Sequence, residues 1–243
     1  MESVSREGLS ANALKVIAIL AMTVDHIAWA FVPTLSAAGQ AMHVLGRLTA
    51  PIMCFFIVEG YRHTRSVPRY ALRLGIFALV SQVPFSLFEN GVLFSLPWNM
   101  IGTLLLCLLA VWARHRIADR LHRGLAILAL CFLAILTDWS YYAVAFCLIF
   151  DLFRENPAKR NRWMVAAACL MVLDLISSYL LSGIPLSQCL GYSLMQLGVL
   201  LSLPLLSRYN GKKGRPLPGG RWFFYFYYPL HLLAIAGVQA VVR

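Results

Sequence analysis

The sequence predicts an all-α fold, a polytopic integral-membrane helix bundle of about nine transmembrane helices (about eight to ten). Three observations predict it. Hydrophobic residues make up 60% of the 243 positions and charged residues only 13%, against roughly 25% charged in a soluble domain. The mean hydropathy is +0.72. Apolar runs of about 20 residues, the length that crosses a hydrocarbon core, recur from end to end with short basic clusters between them.

The runs place spans at roughly 13–33, 41–61, 70–88, 96–113, 122–137, 139–154, 163–182, 189–207 and 222–242. Lys and Arg gather at Arg6 and Lys15; at Arg62, Arg65, Arg69 and Arg73; at Arg114, Arg116, Arg120 and Arg123; at Arg154, Lys159, Arg160 and Arg162; and at Arg208, Lys212, Lys213, Arg215 and Arg221. The connections near 34–41, 89–98, 137–140 and 182–189 carry none. This alternation is the positive-inside pattern. It predicts a short cytoplasmic segment, 1–12, followed by one transmembrane domain, 13–243, with its N-terminus in the cytoplasm and its C-terminus outside. The net charge of +11 is then topogenic, the partner it implies is the lipid bilayer, and nucleic acid is not an expected partner. Arg47, inside a span, and Arg243, at the end, stand apart from the pattern.

The first run, Leu14 to Pro33, is too long for the apolar core of a cleavable signal and contains Asp25 and His26. Residues 122–154 are read as a short hairpin turning at Thr137-Asp138-Trp139-Ser140, because basic clusters on both flanks demand an even number of crossings; a re-entrant pair is the alternative. The six cysteines, Cys54, Cys107, Cys131, Cys147, Cys169 and Cys189, show no CxxC spacing. They suggest neither a disulfide framework nor a zinc site, and no metal is expected. GKKGRPLPGG, 211–220, reads as a flexible basic connection.

Ionisable residues at hydrocarbon depth cost about 2.5–3.5 kcal/mol on insertion scales unless they face a partner. Asp25 and His26 lie just past the midpoint of the first span, toward the outside. Arg47 in the second span sits at similar depth, which makes Asp25 its candidate counter-charge. His43 and Arg47 are four apart and share a helix face. Pro51 removes the hydrogen bond that would engage the Arg47 carbonyl, predicting a kink there. Gln82 beside Pro84, Asp174 with Ser177 and Ser178, Gln196, and Tyr227, Tyr228 and His231 around Pro229 add polar groups near the same level, predicting a polar pocket in the outer half of the bundle. Bland readings compete: Asp25–Arg47 as a register-fixing ion pair, Gln82 and Gln196 as inter-helix glue, and the aromatic run WFFYFYYP as an interfacial belt. His26 best resists a purely structural reading, since its depth and carboxylate neighbour suit a general base. At the other end of the second span stand Glu59, Tyr61 and Arg62. Arg62, Arg65, Arg69 and Arg73 step by three and four, and would form one basic stripe for lipid headgroups or an anionic ligand.

These residues carry a family resemblance. Asp25-His26, Gly46-Arg47-Leu48 with Pro51 and Phe55-Phe56, Glu59-Gly60-Tyr61-Arg62-His63-Thr64-Arg65, Arg69-Tyr70, Arg73-Leu74, Phe77-Ala78, Ser81-Gln82-Val83-Pro84-Phe85 and the closing Tyr228-Pro229-Leu230-His231-Leu232 resemble the TraX family. That family is named for the conjugation protein that N-acetylates pilin subunits, and is akin to membrane acyltransferases of the acyltransferase-3 kind. The resemblance implies a multi-pass protein of the bacterial cytoplasmic (inner) membrane. It would take an acetyl group from cytoplasmic acetyl-CoA, a co-substrate rather than a bound cofactor, to an amine or hydroxyl. The acceptor would be a small molecule or a pilin-like protein. It further implies His26, Asp25, Arg47 and His231 as the catalytic group: His26 as base, Asp25 orienting His26 or neutralising Arg47, and Arg47 or His231 on the thioester oxyanion. Glu59, Tyr61, Arg62, Arg65, Arg69, Arg73, Gln82, Asp174 and Tyr228 would bind substrates. Two other readings stay open: a proton-coupled or small-molecule transporter using Asp25, His26, Asp174 and His231 as a relay, and a non-catalytic membrane assembly factor.

Overall fold

A computed structural model describes residues 8–220 and 222–242. Arg6, Arg221, Arg243 and the first part of the 1–12 segment lie outside the described residues. Among those described, all regular structure is helical, apart from isolated bridges at Leu9–Tyr209 and Trp98–Thr137. The elements are α1 (Ala11–Phe31), α2 (Ala37–Gly46), α3 (Thr49–His63), α4 (Val67–Asn90), α5 (Met100–Arg116), α6 (Arg120–Ala134), α7 (Ser140–Leu152), α8 (Pro157–Leu181), α9 (Leu186–Leu194), a 3-10 segment (Met195–Leu201), α10 (Ser202–Ser207) and α11 (Trp222–Val242).

Six stretches are long and apolar enough to cross a membrane: 11–31, 37–63, 67–90, 157–181, 186–207 and 222–242. The spans expected at 96–113, 122–137 and 139–154 are instead helices of 17, 15 and 13 residues. At 1.5 Å per residue they rise only about 20–26 Å, short of a hydrocarbon core about 30 Å thick. The expected count of about nine is thus not confirmed: among the described residues there are six full-length candidates and three shorter helices. These three pack on one another.

Local chemistry explains the boundaries. Side-chain oxygens of Ser10, Ser66, Asn99, Asp119 and Asn156 cap α1, α4, α5, α6 and α8, and Gly91, at φ 68°, ends α4 in the left-handed conformation. The kink foreseen at Pro51 is a break: the helix stops at Gly46 and restarts at Thr49. Pro51 has no N–H for the Arg47 carbonyl and its ring crowds that turn. The second broken span, 186–207, carries its 3-10 turn where it packs against α2. There Gly198 lets the backbones approach, because a Cβ would fall inside the Val44 carbonyl oxygen.

Long-range contacts define two ends. At the basic end, Arg62, Arg114 and His115 converge on buried Asp151, and Arg154 meets Glu59. The start of α1 is fastened to the loop after α10 by Leu9 N to Arg208 O (2.8 Å), Ala11 N to Lys212 O (2.9 Å) and Asn12 N to Lys213 O (3.0 Å). The first half of the 211–220 loop, expected to be flexible, is thus pinned. At the far end, Trp98 N donates to Leu136 O and Asp138 N to Trp98 O, joining the 91–99 and 135–139 connections. The basic clusters and the Lys/Arg-free connections therefore segregate as the sequence predicts.

Replacing Gly198 by Ala overpacks the contact with Val44 and is expected to cost about 1–3 kcal/mol. A fall in the melting temperature of the detergent-solubilised protein checks this, and an unchanged midpoint would contradict the close approach. Reporter fusions within 91–99 and 117–119 should report opposite sides of the membrane.

Candidate functional site

Adjacent residues of a helix point about 100° apart, and Asp25 and His26 use that divergence to meet different neighbours. Asp25 is 7% exposed and turns toward α2. Its Oδ1 accepts from His43 Nδ1 at 2.8 Å, and its Oδ2 pairs with the Arg47 guanidinium. Gly46 makes room for the carboxylate, since a Cβ there would overlap Asp25 itself. The guanidinium also lies 5.4 Å from the Trp139 ring and 6.0 Å from that of Trp29, and the His43 ring packs at 4.3 Å on Trp29. The counter-charge expected for Arg47 is thus Asp25. His43, which the sequence places on the same helix face as Arg47, is fully buried in the same cluster.

His26 turns toward α11. Its Nδ1 lies 2.7 Å from His231 Nε2, with the rings stacked at 5.0 Å, and Phe88 covers the other side at 5.1 Å. His231 Nδ1 is 2.9 Å from the Tyr227 carbonyl oxygen. A carbonyl only accepts, so His231 carries its proton on Nδ1 and offers the Nε2 lone pair. His26 must then donate from Nδ1, which leaves a lone pair on His26 Nε2. Tyr227 is held in turn by Thr23, whose hydroxyl donates to Ile19 O and accepts from the phenol at 2.8 Å. The outcome is a neutral imidazole in one tautomer, fixed by a chain that ends in backbone.

A cavity of about 290 Å³ lies between α1, α3, α4, α5, α11 and the loop after α10. Lys15, Arg73 and Lys213 line it toward the basic end, and Met22, Met100 and Tyr228 line its inner end. Met22 is four residues before His26 and Tyr228 three before His231, so the inner end lies about one turn below the paired imidazoles. The Tyr228 hydroxyl accepts from Met100 N at 3.4 Å.

Other candidates fall elsewhere. Gln82 is saturated: its Nε2 donates to Ser86, Ser95 O and Pro97 O, and its Oε1 accepts from the Asn99 backbone and side chain. It fastens the 95–99 connection to α4, the glue reading, and has no free group for a substrate. Asp174 is exposed and accepts from the Tyr141 and Tyr142 hydroxyls on α7, not from the histidine pair. The single basic stripe does not form, because α3 ends at His63 and α4 starts at Val67. Arg62 turns to Asp151 at 3.4 Å, Arg65 and Arg69 are exposed, and Arg73 enters the cavity. Glu59 accepts from Arg154 at 3.3 Å, and Tyr61 stacks on His115 at 5.3 Å. Arg62, with Tyr61 stacked on His115, therefore belongs to a structural cluster around Asp151, which has no visible signal in the sequence beyond being an acid in an apolar run, while Glu59 belongs to the separate pair with Arg154.

The sequence also hides a thiol group. The sulfur atoms of Cys54, Cys107 and Cys147, from α3, α5 and α7, lie within 4.8 Å of one another and are fully buried. Spacing along the chain is silent because each comes from a different helix. Their soft sulfurs suit a soft ion, while thiol contacts to the carbonyls of Ala143 and Cys54 already satisfy Cys54 and Cys147.

Removing one partner from the Asp25–Arg47 pair leaves a buried charge, so Asp25→Ala and Arg47→Ala are each expected to destabilise by about 3–5 kcal/mol. The double variant should lose clearly less than the sum in denaturant unfolding, and additive losses would show that the pair is not coupled.

Comparison with known proteins places the chain in a family. The family model described as TraX protein matches residues 10–239. A protein of Dichelobacter nodosus named "Probable fimbrial assembly protein FimC, serogroup H1" is 35% identical over 246 residues, covering 96% of this chain and 97% of that protein. No solved structure matches. A match running from the start of α1 to the last turns of α11, with a relative similar across its whole length, establishes that the chain belongs to the TraX family.

Proposed function

We propose that this protein is a membrane acetyltransferase of the bacterial cytoplasmic membrane. It would move an acetyl group from cytoplasmic acetyl-CoA to an amine or hydroxyl, with a pilin-like protein as the acceptor. One observation carries the reading: a tautomer-locked histidine pair stands one turn above the inner end of a cavity whose other end is cationic. The relative's name, which refers to fimbrial assembly, supports a link to surface filaments.

In this mechanism His26 Nε2 takes the acceptor proton as the nitrogen or oxygen attacks the thioester carbonyl. A C–N or C–O bond forms, the C–S bond breaks, and the thiolate leaves with the proton from His26. The imidazolium formed in between keeps its Nδ1–H on His231, much as an oriented acceptor supports the histidine of a hydrolytic triad. His231 is then a positioning residue. Its Nε2 accepts from His26 and its Nδ1–H is committed to Tyr227, so it has no proton for an oxyanion. Arg47, held by Asp25 and outside the cavity lining, fixes the register of α1 against α2 rather than meeting the oxyanion.

The test is turnover of radiolabelled acetyl-CoA by the purified protein. His26→Ala is expected to reduce transfer or hydrolysis at least about 100-fold with an unchanged melting temperature. His231→Ala should lower kcat with little effect on KM for acetyl-CoA. A wild-type protein that neither binds nor turns over acetyl-CoA would sink the reading and leave the membrane assembly factor.

A further inference from the structure

Lys15, Arg73 and Lys213 come from α1, α4 and the loop after α10, yet they line one end of the same cavity. Among the described residues, none that lines that cavity is acidic. The contrast with the neighbouring basic residues is chemical: Arg62 and Arg114 have Asp151, and Arg154 has Glu59. Arg73 instead lies 5.3 Å from the face of Tyr70, and its buried Nε has no hydrogen-bond partner. Lys15 Nζ stands 4.8 Å from the ring of Phe56 and 5.5 Å from that of Phe224. Lys213 is close enough to act on the Lys15 charge. Aromatic faces attract cations, but they do not neutralise them.

The backbone that carries Lys213 is also held in place. Asn12 accounts for this twice: its N–H donates to Lys213 O at 3.0 Å and its side chain to Arg215 O at 2.7 Å. Gly214, at φ 81°, lies so close to Ser10 that a Cβ would overlap the serine side chain. The loop therefore presents Lys213 over α1 through backbone geometry.

Beyond this mouth the walls are apolar, with Ile19, Met22, Met53, Ile57, Leu74 and Leu104. From Lys15 to His26 is about 16 Å along α1. Among the described residues, cations that meet no acid of the lining at one end and apolar walls at the other select a molecule of matching polarity. We infer that this cavity binds a phosphate-headed amphiphile, with its phosphates on Lys15, Arg73 and Lys213 and its uncharged arm in the throat toward His26. Two ligands share that chemistry: a nucleotide-borne acyl thioester and an anionic phospholipid. The choice of the thioester rests on the transferase reading, whereas binding is measurable without turnover.

The experiment measures acetyl-CoA binding by titration calorimetry, using the full-length protein in nanodiscs of phosphatidylcholine with and without phosphatidylglycerol. Lys15→Gln, Arg73→Gln and Lys213→Gln should each raise Kd about tenfold, the scale of one charge-assisted hydrogen bond. Arg65→Gln and Arg69→Gln should leave it unchanged. Lys213→Gln lies on an exposed loop and keeps the test valid if the helix variants misfold. S-acetylpantetheine, which has the arm without the phosphates, should bind weakly and equally to wild type and Lys213→Gln. Acetyl-CoA binding that ignores all three substitutions, or that Arg65→Gln weakens as much, would overturn the assignment. Phosphatidylglycerol retained through Lys15, Arg73 and Lys213, with no binding of acetyl-CoA, would support the cavity's chemistry while removing the transferase reading. Binding of neither ligand would overturn the site itself.

Discussion

The Asp25–Arg47 ion pair is the constraint on which the rest of the structure depends. Neither charge is tolerable alone at this depth, so α1 and the second helical stretch must meet at one register. Gly46 permits the contact, and Pro51 breaks the helix directly after Arg47. His43 and the rings of Trp29 and Trp139 complete the surroundings of the pair. The break lets α2 lean on α1 while α3 turns to pack against α5 and α7.

Fixing α1 in this way determines where His26 points. Asp25 occupies the side toward α2, and the next position is therefore directed toward α11, where Pro229 and the Tyr227 carbonyl shape the turn that carries His231. A carboxylate bonded to His26 would have made it a conventional acid-oriented base. The structure instead gives His26 a second imidazole, locked by a backbone carbonyl, so its tautomer is set without a charge. This is an economical arrangement in a low-dielectric region, where each additional charge needs its own partner.

Much of the remaining polar chemistry holds connections rather than ligands. Gln82 and Asn99 bind the 95–99 segment to α4, and Asp151 gathers Arg62, Arg114 and His115 at the basic end. These networks are satisfied internally, as buried polar groups must be. Lys15, Arg73 and Lys213 differ: among the described residues no acid lines their cavity, and Lys15 and Arg73 face aromatic rings instead. That difference separates a surface built to hold itself together from one that awaits an anion.

Composition and charge alternation by themselves determined a helical membrane protein with its basic loops on one side, because hydrocarbon depth and loop charge are written locally along the chain. They also determined that Asp25 needs Arg47, since depth could be counted from the span ends. The family was legible for the same reason: its motif residues are contiguous in sequence. Only the tertiary structure decided which polar residues share a site. It paired His26 with His231, removed Gln82 and Asp174 from the pocket, divided the arginine stripe at the turn between α3 and α4, and joined Lys15 to Lys213 across almost the whole chain. Hydropathy alone also did not separate full-length spans from the shorter α5, α6 and α7: α5 and α7 bury much of their apolar surface in the bundle, while α6 leaves most of its own exposed. Side-chain direction depends on helix rotation and packing, and those are properties of the assembled bundle, not of any single segment.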